Sequence, residues 1–439
     1  MPYPRGLSAL LKKAPSDTVV LSAVRTPICR ANRGNLKDAY PEELLATVLR
    51  RTLERGTAMG LDRSRIQDVA VGVVLSELGG SKAARTALNH VGFDTHATSL
   101  YTVNRACASS LQAVAAVAAQ IRVGAIEAGI AAGMESMTRN YGSRAIPTDL
   151  WPALRESPVA DARDCVMPMG TTSENVASRY GINRADQDNV ALHSHRRAAA
   201  AVAAGRFVDE IVPVATRFQP LLPKGAPKDT PLEPEQQITV TTDDGIRADI
   251  SPEVLARLKP AFAADGTSTA GNSSQVSDGA AALLLMRRST VDQHLPPGTR
   301  VLGRFVASAT VGCRPDEMGI GPALAIPALL DRLGLSTADV HRWEINEAFA
   351  SQTLYCLRQL GLESAWAESE YDEASPHARP RALVNPDGGA IALGHPLGAT
   401  GTRMATTLLH GLHRDGGEIG VASMCIGTGM GMAALFVRE

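Results

Sequence analysis

The sequence predicts an α/β protein made of two related halves, with a third segment looped out of the first half. Three observations carry this. Short runs of strand composition alternate with helical stretches along most of the chain. Several runs, such as Asp68-Val69-Ala70-Val71-Gly72-Val73-Val74, are continuously apolar, as in a sheet covered on both faces. The order of elements in residues 17–138 then recurs in the second half of the chain, which points to an internal duplication.

Composition narrows the class. With 439 residues the chain is long enough for two or three cores. Its 44% apolar and 20% charged content is that of a folded, water-exposed protein rather than a disordered one. An aromatic fraction of 4% and a formal net charge of −1 argue against a nucleic-acid platform. The six cysteines (Cys29, Cys107, Cys165, Cys313, Cys356, Cys425) lack the short paired spacings of a metal site and the density of a disulfide framework, so no metal is expected and a reducing compartment is. No uncharged run has the length expected of a membrane span; the Ala106–Ile121 stretch is too short and too rich in alanine. Residues 1–16 carry Arg5, Lys12 and Lys13 with no acid before Asp17, which suits either a short basic targeting helix or a flexible tail.

Taken in order, Thr18–Val24 reads as a strand, Pro41–Arg55 as a helix with Pro in its first turn, and Asp68–Val74 as a second strand. A helix at Lys82–Val91, a strand at Ser99–Val103, an alanine-rich helix from Ala106 and a strand at Ala128–Ala132 complete the unit. From Arg139 the composition turns irregular, with Pro147, Pro152 and Pro158, and helical patterns follow at Thr171–Tyr180 and Arg184–Ala204, the latter opened by Asn183 as N-cap. Residues 139–266 therefore form an excursion, of the kind that carries binding surfaces. The Ser- and Asn-rich stretch after Gly266 leads back through Ala280–Met286, so 17–138 plus 267–288 make the first half and 289–439 the second. In the second half the strands are Val301–Ala307, Trp343–Ile345, Ala382–Val384, Ile419–Met424 and Met432–Val437, with helices at Ala323–Leu333, Glu347–Leu360 and Gly401–Leu412.

Two junctions occupy matching places in the halves: Cys107, where a strand gives way to an uncharged helix, and Gly394-His395-Pro396, ahead of the helix at Gly401. Halves packed back to back would turn both toward one cleft. A thiol in the first turn of a helix feels unpaired N–H groups and the positive end of the helix dipole, which favour the thiolate. An isolated free cysteine is, by contrast, usually a small buried apolar residue.

Four segments together resemble the thiolase family: Asn104-Arg105-Ala106-Cys107-Ala108-Ser109-Ser110, Asn346-Glu347-Ala348-Phe349, Asn385–Pro396, and Cys425-Ile426-Gly427-Thr428-Gly429. The likeness runs from Asp17 to the C-terminus and takes in Met167–Ala177 and Thr269–Gly279. It implies two βαβαβαββ halves in a five-layered α-β-α-β-α architecture with a loop domain inserted in the first half. In the family, the residue matching Cys107 attacks the 3-keto carbon of a 3-ketoacyl-CoA, acetyl-CoA departs, and the acyl group left as a thioester passes to coenzyme A. A thiolate suits this because its thioester remains reactive toward a second thiol. His395 matches the histidine that takes the nucleophile's proton and helps hold an oxyanion, and Cys425 matches the acid/base cysteine. Asn346 matches an asparagine that fixes a water beside that histidine, and the N–H groups of Cys107 and Gly427 match a second oxyanion hole, where a glycine lets the backbone come close. Arg247 and Ser274 match CoA-contacting positions.

The resemblance further implies coenzyme A as co-substrate, no permanently bound cofactor, and a homodimer, with a tetramer as the alternative. The Gly-rich stretches are not dinucleotide fingerprints. Biosynthetic short-chain members tend to carry histidine where this chain has Pro168, so the chain looks most like the degradative, peroxisomal branch acting on 3-ketoacyl-CoA in fatty acid β-oxidation. A peroxisome or glycosome-like organelle is the expected address, with the mitochondrion as alternative, because Lys12 stands where the usual N-terminal peroxisomal signal has His or Gln. Residues Glu363–Arg381 depart from the family pattern as an insertion. The rival readings are a biosynthetic acetoacetyl-CoA thiolase, a condensing enzyme of the wider superfamily, and a non-catalytic acyl-CoA-binding paralogue; the retained Cys107, His395, Asn346 and Cys425 speak against the last two.

Overall fold

Most strands of the two halves are buried on both faces because helices lie on both. The computed structural model describes residues 4–142, 145–223, 225, 227, 230–368 and 382–439. In the first half β1 (Thr18–Arg25), β2 (Ile66–Gly72), β3 (Ser99–Val103), β4 (Ala128–Ser136) and β5 (Ser277–Arg287) lie in the spatial order β1-β5-β4-β2-β3. In the second, β6 (Gly303–Gly312), β7 (Arg342–Ile345), β8 (Leu383–Val384), β9 (Ile419–Ile426) and β10 (Met430–Arg438) lie in the order β6-β10-β9-β7-β8. Counted within its half, each order is first, fifth, fourth, second, third. Directions agree as well: the first–fifth and fifth–fourth pairs are antiparallel, the fourth–second and second–third pairs parallel. The duplication is thus a repeated topology. The sheets join where Thr18, Val19 and Val20 of β1 pair with Phe305, Arg304 and Gly303 of β6.

The longer helices are α1 (Pro41–Ala58), α2 (Ser81–Val91), α3 (Ser109–Val123), α4 (Met169–Arg179), α5 (Arg184–Ala203), α6 (Gly321–Leu333), α7 (Ala350–Leu360) and α8 (Thr400–Asp415). One core packs α1 and α2 against the outer face of the first sheet, and another packs α6 and α7 against the outer face of the second. Between the sheets lie α3 and α8, whose Leu111, Val114, Leu408 and Leu412 share a third core with Leu283 of β5 and Phe436 of β10. Five layers result. The two central helices touch at the backbone: a Cβ on Gly401 would lie 2.3 Å from the Leu111 nitrogen, so only glycine allows this approach. By length and hydropathy alone the window Ala106–Val123, which includes Arg122, could cross a membrane, but its helix packs in the core between the two sheets.

The structure moves two helix starts. The central helix begins at Ser109, not Ala106, because Ala106 takes a left-handed φ of 42° that no helix can contain. Likewise α7 begins at Ala350 rather than Glu347, whose carboxylate is occupied by Ser194 at 2.6 Å and Asn385 at 2.9 Å. The basic N-terminal segment is docked rather than a flexible tail among its described residues: Leu7–Leu11 is helical, Leu10 is buried in the core under α6, and the Gly6 N–H donates to Leu333 O at 2.7 Å. Of the insertion, Glu363–Ala367 is a short helix with Trp366 buried, and residues 369–381 lie outside the described residues.

Buried charge pins the second half. Arg342 on β7 donates to Glu344 at 2.9 Å and to Asp387 at 2.6 Å, and it also bonds Asp415. Three arginines around Asp387 outweigh its burial and hold its carboxyl well below the usual range. Removing one partner strands buried charge, so Arg342→Met should lower stability by about 3–5 kcal/mol; urea unfolding read by circular dichroism would measure it, and an unchanged midpoint would contradict the network's role.

Candidate active site

Cys107 sits in the turn between β3 and α3, and its neighbours force that turn. The Asn104 side chain accepts the Ala106 N–H at 2.9 Å, while Ser109 Oγ accepts the Arg105 N–H at 2.9 Å and donates to Ala106 O at 2.6 Å. These bonds hold Ala106 in its left-handed conformation and turn Cys107 to the cleft. Two cavities meet there. One, of about 640 Å³, is bordered by Cys107, His395, Ser274, Met169 and Phe349. The other, of about 460 Å³, is bordered by Cys107, Gly427, Asn104, Cys165 and Met167.

Burial decides the resting state of the thiol. It pushes the Cys107 pKa up to about 11, although the N–H groups of Gly427 and of Cys107 itself hydrogen-bond the sulfur and oppose the rise. The sequence expectation of a thiolate held by the helix dipole is therefore corrected. The helix starts two residues later, and desolvation outweighs its field. A base must remove the proton.

His395 precedes α8 and is fully buried apart from its face on the larger cavity. Its Nδ1 lies 2.7 Å from Thr400 Oγ, and that hydroxyl donates to Pro396 O at 2.9 Å. With its one hydrogen committed, Thr400 accepts from Nδ1–H, which leaves the Nε2 lone pair free to take a proton. Burial, with the Arg403 charge behind it, lowers the His395 pKa to about 3, so the ring rests neutral. Asn346 Nδ2 is 3.5 Å from Nε2, and the Asn346 Oδ1 has no partner among the described residues, an orphaned acceptor that fits an asparagine orienting a water.

Cys425 lies near the end of β9, wholly buried among Met318, Ala348 and Phe349. Burial raises its pKa well above the ordinary thiol value, and Cys107 adds to the rise because a negative charge on either sulfur opposes one on the other. Gly427 behaves differently from expectation. A Cβ there would meet Met169 Sδ only at 3.4 Å, an ordinary contact, while the left-handed positions of the turn are Thr428 at φ 72° and Gly429 at φ 86°. On the CoA side, Ser274 borders the larger cavity and its N–H donates to Ala348 O at 3.0 Å. Arg247 is not among the residues bordering either cavity: its side chain is exposed and its N–H donates to His195 Nδ1 at 3.1 Å.

The structure adds residues that sequence reasoning passed over. Thr400, five residues after His395, fixes the tautomer. Glu135 is another. Only Thr400 had a local signal, a hydroxyl at the start of the helix that follows the histidine.

A thiol needing a base, a neutral imidazole with a free lone pair and a second buried thiol suit enzymes that carry an acyl group as a cysteine thioester. Residues 18–289 match the family description Thiolase, N-terminal domain, and residues 299–438 match Thiolase, C-terminal domain. The chain is 48% identical over 426 residues to 3-ketoacyl-CoA thiolase 2, peroxisomal, of Arabidopsis thaliana, covering 96% of this chain and 84% of that one. It is 47% identical over 431 residues to the peroxisomal 3-ketoacyl-CoA thiolase of Homo sapiens, covering 98% and 93%. The crystal structure of the dimeric peroxisomal thiolase of Saccharomyces cerevisiae matches with a TM-score of 0.82 at 40% identity, over 99% of this chain and 100% of that one. The chain belongs to the thiolase family and is an acyltransferase.

The depressed His395 pKa has a measurable consequence. The unfolded ring takes up a proton below its ordinary value of 6.5, whereas the folded ring does so only near 3. Stability contributed by this group is therefore present above 6.5 and is lost as pH falls through that window, by up to about 1.4 kcal/mol per pH unit. Between pH 6.5 and about 5, His395→Asn should lose less stability than wild type, by about 2 kcal/mol. Equal losses in urea titrations of the two proteins would mean that the folded ring is already charged.

Proposed function

We propose that the chain is a degradative 3-ketoacyl-CoA thiolase of the peroxisome, working as a homodimer. It uses coenzyme A to cleave a 3-ketoacyl-CoA into acetyl-CoA and an acyl-CoA two carbons shorter, and it runs in reverse as a Claisen condensation. The names of the curated relatives support the reaction and the address, and the dimeric yeast structure supports the assembly. The observation that carries the reading is the shared cavity: the Cys107 thiol and the neutral His395 ring border one space together with Ser274.

His395 Nε2 takes the Cys107 proton, and the sulfur bonds to the 3-keto carbon. The N–H groups of Cys107 and Gly427 stabilise the oxyanion. The C2–C3 bond then breaks, its electron pair passing to C2 as the acetyl-CoA enolate, whose thioester oxygen is held by imidazolium His395 and a water fixed by Asn346. Cys425 gives its proton to C2 and acetyl-CoA leaves. In the second half, the thiol of incoming CoA gives its proton to the Cys425 thiolate and attacks the acyl-cysteine thioester, and Cys107 departs as a thiolate that recovers its proton from imidazolium His395, so that all three groups return to their resting state. Burial serves this sequence, since each proton transfer runs between groups uncharged at rest, in a site where a developing oxyanion is strongly stabilised by fixed donors. Ser274 and Arg247 would contact the CoA portion, Ser274 from the cavity wall and Arg247 from the surface.

Cys107→Ser should abolish CoA-dependent cleavage of acetoacetyl-CoA while the circular dichroism spectrum stays unchanged; normal turnover would refute the nucleophile. Cys425→Ala should still form an acyl-enzyme at Cys107 from an activated thioester yet fail to exchange the acetyl-CoA methyl protons with solvent. Persistent exchange would place the base elsewhere.

A further inference from the structure

One buried carboxylate at the cleft has no part in the chemistry above. Glu135, near the end of β4, is wholly buried. Its Oε2 accepts the Val74 N–H at 3.2 Å and the Gly398 N–H at 3.0 Å, and its Oε1 accepts the Leu75 N–H at 3.3 Å. The donors come from both halves. Gly398 belongs to the turn that carries His395, and Val74 and Leu75 border the smaller cavity with Cys107. Val74 in turn accepts at 3.2 Å from Asn104 Nδ2, whose Oδ1 fixes Ala106 beside the nucleophile. A continuous hydrogen-bonded path therefore runs from the Cys107 turn through Asn104, the 74–75 segment and Glu135 to the His395 turn.

The duplication adds a second, independent observation. The last residue of β2, Gly72, pairs with Gly133, and Glu135 lies two residues further along β4. In the second half the last residue of β7, Ile345, pairs with Ser423, and Cys425 lies two residues further along β9. Glu135 occupies in the first half the register position that Cys425 holds in the second.

We propose that Glu135 is a positioning residue for the reaction, the link that fixes the separation of Cys107 and His395 by clamping one loop from each half. An ionised carboxylate suits the task because it is an acceptor only, and one group satisfies three donors from two segments, one in each half. Burial raises its pKa to about 7, and the three N–H groups pull against that rise. A glutamine can keep its oxygen on the Val74 and Gly398 N–H groups only by turning its N–H₂ against the Leu75 N–H, which pushes the 74–75 segment away and loosens the clamp.

The proposal rests on Cys107 and His395 acting as a pair, so its test needs a readout that does not require thiolysis. Purified Glu135→Gln, Asn104→Ala, the double variant, His395→Ala and wild type would be compared for the rate at which iodoacetamide alkylates Cys107, followed by peptide mass. They would also be compared for thiolysis kcat and for the KM of CoA, each per alkylatable Cys107. Either single variant should slow alkylation and lower per-site kcat by about 10- to 100-fold while the KM for CoA moves less than about threefold, the scale expected when reacting groups are misplaced by about an ångström. The double variant should lose little more than one single variant, because both break one path. Rates in Glu135→Gln within twofold of wild type would overturn the proposal, as would multiplied losses in the double variant. If Glu135→Gln fails to fold, Glu135→Asp takes its place with the same expected and overturning results, because it keeps the acceptor but is one methylene too short to reach both loops. Wild type that alkylates quickly but cleaves no 3-ketoacyl-CoA would count against the proposed reaction and leave the clamp standing.

Discussion

The crossing of α3 and α8 at the centre of the molecule is the constraint on which the site depends. Leu111 and Gly401 bring the two helices into backbone contact, and each helix is preceded by a turn that carries a reactive group. Two turns at corresponding ends of crossing helices meet only if the helices meet. A side chain at Gly401 would push the helices apart and would separate Cys107 from His395 before it touched either. The large apolar core around α3 and α8 is thus the support of the site as well as the centre of the fold.

Desolvation sets the chemistry of that meeting point. Cys107, Cys425 and His395 are all shifted toward their uncharged forms, the thiols upward and the imidazole downward. No stable thiolate–imidazolium pair is stored. The Thr400 hydroxyl completes the logic by committing Nδ1, so that the ring presents a lone pair where a proton has to go. This differs from enzymes that keep a cysteine ionised with a helix dipole, and the reason is local: the left-handed Ala106 delays the start of α3, and Cys107 falls outside its first turn.

Most of the scaffold was legible in the sequence, because continuous apolar runs and helical periodicity are local signals and the five-residue strand Ser99–Val103 appears with the limits read from them. The start of α3 was not, since Ala106 has strong helical propensity and only the bonds from Asn104 and Ser109 override it. The two thiols and the histidine were recognisable as segments, but their protonation states were not, because burial is a property of the assembled layers. Glu135 carried no local signal at all. Its donors lie in residues 74, 75 and 398, and nothing in the stretch around Met134 announces them. The docking of Leu10 was hidden for the same reason, since its partners belong to the second half.

Duplication explains why the roles divide as they do. Two copies of one topology offer each functional position twice, and a reaction that needs a nucleophile, a base and a second proton carrier can take one member from each pair. The helix-preceding turn carries sulfur in the first half and imidazole in the second. The register position beyond the second strand carries a carboxylate in the first half and sulfur in the second. The carboxylate would not serve in the place of Cys425, because a permanent charge beside the nucleophile would oppose every thiolate and enolate formed there. Buried behind three N–H donors, Glu135 serves as an acceptor, and in the proposed reaction the neutral Cys425 thiol is left to meet the carbon that gains or loses a proton.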